Sequence, residues 1–120
     1  MQLEEFQAFV RIYVERIFQE AFPDETGAAR MQQVGLFVTI FALQNTAEPV
    51  TAMRIARLSG QSHSQVHRNL QKLLKLDLVE RTKIRNRIGK GQAWHLSIKD
   101  TPEAKRLLKA VMGGKKGRGG

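Results

Sequence analysis

A mainly α-helical domain with one small β-hairpin is the fold class this 120-residue sequence predicts, and three observations predict it. Apolar residues recur at three- and four-residue spacing through most of residues 2 to 76. A break at Ser59-Gly60-Gln61-Ser62 interrupts that pattern and leaves a short helix on either side. Beyond Leu78, two alternating segments flank a basic, glycine-containing stretch, Ile84 to Gln92, as in a hairpin.

The first helix is expected over residues 2 to 22. Leu3, Phe6, Val10, Tyr13 and Ile17 form one stripe, and Phe9, Val14, Phe18 and Phe22 widen it. That is more apolar surface than one packing face requires, so the surplus predicts a second copy of the same helix as partner. Phe6, Val10, Tyr13 and Ile17 are the residues expected at this contact. Pro23 ends the helix, because it biases the preceding residue away from helical dihedrals.

A second helix is expected from about Gly27 to Asn45. Val34, Leu36, Phe37, Val38, Ile40, Phe41 and Leu43 make it apolar nearly all round, as a central core element would be. Thr51 is placed to cap a short helix, Ala52 to Leu58, with Met53, Ile55, Ala56 and Leu58 available to the core. Gly60 stops it. Ser62, with Gln65 three residues on, has capping-box spacing and opens a helix over about residues 62–76, whose inward stripe is Val66, Leu70, Leu73 and Leu74.

Leu78 to Ile84 and Ala93 to Lys99 read as the hairpin strands, with Trp94, Leu96 and Ile98 inward and His95 and Ser97 outward. Thr101-Pro102-Glu103 has the cap, proline and acid of a helix start, and Leu107, Leu108 and Val111 form an apolar face that also fits a dimer contact. The tail, residues 113–120, has nothing apolar to bury and is expected to be disordered.

One domain is therefore expected over residues 1–112: an N-terminal dimerisation helix (1–22), a core with hairpin (50–99) and a C-terminal helix (101–112). Two short helices joined by a tight turn and followed by a basic hairpin constitute a winged helix-turn-helix.

Charge separates the two halves. Residues 1 to 49 carry three basic and seven acidic residues, a net −4, whereas residues 50 to 120 carry 17 basic and four acidic, a net +13. A polyanion partner for the second half is the simplest account, since Lys and Arg release the counterions condensed on phosphates. With Val66, Leu70 and Leu73 inward, helical geometry turns Ser64, Gln65, Arg68, Gln71 and Lys72 outward, with Ser62 at the start and His63 and His67 at the edge. Arg pairs bidentately with guanine and Gln with adenine, so Arg68 and Gln65 are the main candidates for reading double-stranded DNA in the major groove. On the wing, residues 84–92, Arg85, Arg87 and Lys90 suit a minor groove or backbone, and Lys83 and Lys72 suit phosphates.

The stretch Ile55-Ala56 through Gly60, then Ser62, Ser64, Val66, Arg68, Leu70, Leu73 and Leu78-Val79-Glu80-Arg81, resembles the winged-helix core of MarR-type transcriptional regulators over about residues 31 to 84. The resemblance implies a homodimer held by terminal helices, with one recognition helix per half-site. The sequence departs from the family pattern in three respects. Arg85-Asn86-Arg87 stands where Asp-x-Arg is usual, Asp77 replaces a glycine before Leu78, and the C-terminal helical region is short.

Other classes find less support. There are no cysteines, His63 and His67 alone are too few ligands for a metal site, and no cofactor motif is present. No phosphate loop, nucleophile elbow or carboxylate pair points to an enzyme. Val34 to Leu43 is about half the roughly 20 residues a bilayer requires, and Glu4, Glu5 and Glu15 interrupt any secretory signal, so a cytoplasmic protein is expected. A small-molecule effector is compatible with the resemblance but has no assignable pocket. Two alternatives stay open: a general binder of RNA or DNA acting through wing and tail, and a protein-docking winged helix.

Overall fold

The computed structural model describes residues 2–20, 22–85, 92–102 and 105–106. Four helices precede an antiparallel hairpin: α1 (Leu3–Gln19), α2 (Gly27–Leu43), α3 (Ala52–Ser59), α4 (His63–Lys75), β1 (Val79–Arg85) and β2 (Gln92–Ile98). This is the order and topology of a winged helix-turn-helix.

The helix ends follow their local chemistry. Thr26, Thr51 and Ser62 each accept, through the side-chain oxygen, a backbone N–H three residues on, at 3.0, 3.1 and 3.2 Å. Each cap satisfies a donor that the first helical turn leaves open. Gly60 ends α3 with φ +78°, a left-handed conformation that suits glycine. At the end of α4, Leu78 N–H reaches Leu73 O at 3.1 Å and Asp77 N–H reaches Leu74 O at 3.0 Å, with Asp77 at φ +62°. That pair of bonds is a Schellman motif, and Asp77 occupies its left-handed position.

One core joins all the elements. Phe9, Tyr13 and Ile17 of α1 pack with Leu36, Phe37 and Ile40 of α2, then with Ile55, Val66, Leu70, Leu73, Leu78, Val79 and Leu96. The Tyr13 ring stacks on Phe37 at 4.8 Å, and its hydroxyl donates to Lys99 O at 3.0 Å, tying α1 to the end of the hairpin. Val50 forms a third rung beside β2: its carbonyl accepts Leu96 N–H at 2.7 Å and its N–H donates to His95 Nδ1 at 2.9 Å.

Several expectations from the sequence are corrected. Tyr13 and Ile17 are wholly buried within the protomer, so these two side chains offer no surface to a second copy. The excess of α1 emerges instead at Leu3, Phe6 and Phe18, which are 69%, 41% and 42% exposed, while Val10 is half-buried against the core. Helix α2 is not enclosed on every side, since Met31 and Val38 are exposed. Met53 and Leu58 of α3 also face outward, leaving Ile55 as its fully buried anchor. The expected C-terminal face, Leu107, Leu108 and Val111, and the tail 113–120 lie outside the described residues.

Candidate nucleic-acid interface

The candidate recognition surface is built on α4. Val66, Asn69, Leu70 and Leu73 are its buried side, which leaves His63, Ser64, Gln65, His67, Arg68 and Gln71 exposed. Asn69 was not part of the expected stripe. Its side chain donates to Gln32 Oε1 at 3.1 Å and secures α4 against α2 by a hydrogen bond within an apolar contact.

Among the expected readers, the fold leaves some free and engages others. Arg68 and Gln71 take no part in the hydrogen bonds and ion pairs among the described residues. Gln65 carries a second duty, because its Oε1 accepts the Ser62 N–H at 3.4 Å and completes the capping box. Ser64 Oγ lies 3.3 Å from Ser62 Oγ.

Lys72 departs from its expected outward course. Its ammonium is 3.8 Å from Glu25 Oε2 and 4.2 Å from the Phe22 ring centre, so it covers the α1–α2 connection instead of pointing away from the domain. The Glu25 side chain is only 2% exposed, and Gln33 Nε2 donates to the same carboxylate oxygen at 2.8 Å. A buried carboxylate requires such partners, which explains why the lysine is held there.

His63 and His67 form an edge-on ring pair, 4.4 Å between centres, on the exposed surface. His67 is held below the usual histidine range, first by partial burial and then by the nearby charges of His63 and Arg81. Arg81 thus reaches from β1 into the electrostatic field of α4. Among the described residues, no group of three or more His, Asp or Glu could hold a metal ion.

The hairpin contains a larger departure. Trp94, expected inward with Leu96 and Ile98, is 40% exposed. Alternation is kept, but β2 runs beyond the end of the core: Leu96 is buried, Ile98 packs against the core, and Trp94 projects past it. Opposite Leu96 and Trp94 in the ladder stand Arg81 and Lys83. The Arg81 guanidinium lies 4.8 Å from the indole centre, and the Lys83 ammonium lies 5.8 Å away. Two exposed cations paired opposite one strand face are the signal in the sequence that this face leaves the core. Arg85 closes β1, while Arg87 and Lys90 lie outside the described residues.

Two helices meet at Gly60, the second is capped and exposes polar groups, and a basic hairpin lies beside it. The MarR family model matches residues 37–86, a span from the middle of α2 to the end of β1. Over that span the chain is similar to the MarR family, and its fold is a winged helix-turn-helix. A chain described as a possible transcriptional regulator from Methanosarcina mazei Go1 has a similar fold, with TM-score 0.50 and 12% sequence identity over 94% of this chain and 81% of that one. At that identity the likeness is one of fold. No curated protein matches the chain. Among the described residues, no helix is long and apolar enough to cross a membrane.

Proposed function

We propose that this protein is a dimeric, sequence-specific regulator of transcription that binds double-stranded DNA, with α4 in the major groove and the wing, residues 84–92, on the minor groove or backbone beside it. The observation that carries this reading is the outer face of α4. Arg68 and Gln71 are exposed and unused by the fold, on a MarR-type winged helix whose half of the chain carries a net +13. Side chains that stabilise nothing in the free protein, on a rigid capped helix, are suited to base edges. The similarity to an archaeal chain described as a possible transcriptional regulator agrees with it.

In this reading Arg68 is the principal reader, and Ser64, Gln65 and Gln71 assist it. Ser62, His63, His67, Lys83, Arg85, Arg87 and Lys90 serve the backbone, and Lys72 contributes long-range charge from its place beside Glu25. The exposed apolar residues of α1, with Phe6 central, meet a second copy together with Leu107, Leu108 and Val111. A two-fold dimer then reads a pseudo-palindrome with half-sites about one helical turn, roughly 34 Å, apart.

Selection of bound sequences from a random duplex library tests binding, specificity and symmetry together. Enrichment of an inverted repeat is expected. Recovery of duplexes with no shared motif would favour a general nucleic-acid binder, the reading that the basic balance of residues 50 to 120 alone would support.

A further inference from the structure

Trp94 and its cationic neighbours have no role in the fold that explains their exposure. The indole projects past the core on β2, with Arg81 and Lys83 beside it from β1. Among the described residues, no carboxylate forms an ion pair with either cation. Arg81 is also close enough to α4 to act on His67. The exposed groups therefore form one strip, from the His63–His67 pair through Arg81 and Trp94 to Lys83, joining the recognition helix to the base of the wing.

We propose that this strip is a backbone clamp for one strand of duplex DNA, in which Arg81 and Lys83 each hold a phosphate and the Trp94 indole packs on the sugar between them. The inference rests on the duplex-binding reading and adds to it two residues, Arg81 and Trp94. Arg81 and Lys83 are two apart on a strand, a separation of roughly 6.6 Å on one face. That is comparable with the spacing of successive phosphates along a strand. The cation–π contacts hold both side chains beside the indole before DNA arrives, which reduces the ordering cost of binding. Contacts of this kind set register and orientation without reading sequence.

Trp94 is the chain's single tryptophan, so its fluorescence reports on this site alone. A short random-sequence duplex titrated into the full-length protein should change Trp94 emission with the same midpoint as a gel-shift titration. Arg81→Ala should weaken binding of all duplexes about fivefold and lower the salt slope by about one, whereas Arg68→Ala should act mainly on a selected site. Trp94→Phe should retain most of the affinity and Trp94→Ser should lose it, with circular dichroism showing both variants folded. Duplex binding with unchanged Trp94 emission and no effect of Arg81→Ala would overturn the clamp while leaving the regulator reading intact. No duplex binding at all would overturn both. A tighter response to the unpaired strand than to the duplex would also overturn the clamp, assigning the indole to base stacking instead.

Discussion

Arg68 and Lys72 stand one helical turn apart on α4, and the difference between them illustrates what a neighbour does to a charged side chain. Lys72 neutralises the buried Glu25 carboxylate, while Arg68 is exposed with no partner among the described residues. Lys72→Ala should lower stability by about 1–3 kcal/mol, because it leaves a carboxylate short of partners in a buried place. Arg68→Ala should leave stability within about 0.5 kcal/mol but cost about 1–3 kcal/mol of discrimination at a selected site. Urea unfolding and competition binding separate the two effects. His67 adds a pH dependence. Its folded value lies below that of the unfolded chain, so the unfolded state takes up the proton more readily. The corresponding stability is present above about pH 6.5 and declines as pH falls through that unfolded value. His67→Gln should remove this part of the acid slope in a denaturation series.

At the scale of elements, α4 is defined by its two ends. Ser62→Ala removes the oxygen that accepts Gln65 N–H and should cost about 1 kcal/mol, measured as a shift in the denaturation midpoint. At the other end, Asp77 occupies the left-handed position of the Schellman motif at φ +62°. Its link to Lys99 Nζ at 2.8 Å is exposed on both sides and adds little. Asp77→Gly should therefore be neutral or stabilising by up to about 1 kcal/mol, whereas Asp77→Val, β-branched at a positive φ, should destabilise by about 1–2 kcal/mol. Thermal melts of the two variants give the comparison. These ends set the direction in which α4 leaves the turn and the point at which β1 begins.

Across the whole molecule, Tyr13 is the link between the N-terminal helix and the hairpin. Burial pushes its phenol up to about 12 from an ordinary value near 10. The folded state thus resists losing the proton that the unfolded chain gives up. The stabilisation is complete below pH 10 and is lost as pH rises from 10 towards 12. Tyr13→Phe should abolish this alkaline slope, seen by comparing unfolding midpoints of the two proteins, and should cost about 1 kcal/mol at neutral pH through the lost bond to Lys99 O. The proposed dimer belongs to this scale too. Phe6→Glu should shift sedimentation towards the monomer while leaving the protomer folded, since that ring is 41% exposed.

The sequence by itself determined the order of elements, the caps at Thr51 and Ser62, the stop at Gly60 and the inward stripe of α4. All of these depend on residues within one or two turns of each other, where spacing and side-chain chemistry suffice. It also made Asp77 conspicuous as a residue where glycine was expected, and the left-handed backbone there gives the reason. Tertiary structure alone decided which apolar side chains are spent inside the protomer and which are left outside. Tyr13 and Ile17 are buried and Phe6 is not, although all three lie on one stripe. Lys72 was likewise turned by Glu25, a residue 47 positions away in the chain. Trp94 lies at the surface because β2 is longer than the core beneath it. Periodicity gives the face of an element, but where the neighbouring element ends is a long-range fact, and it left the indole beside Arg81 and Lys83.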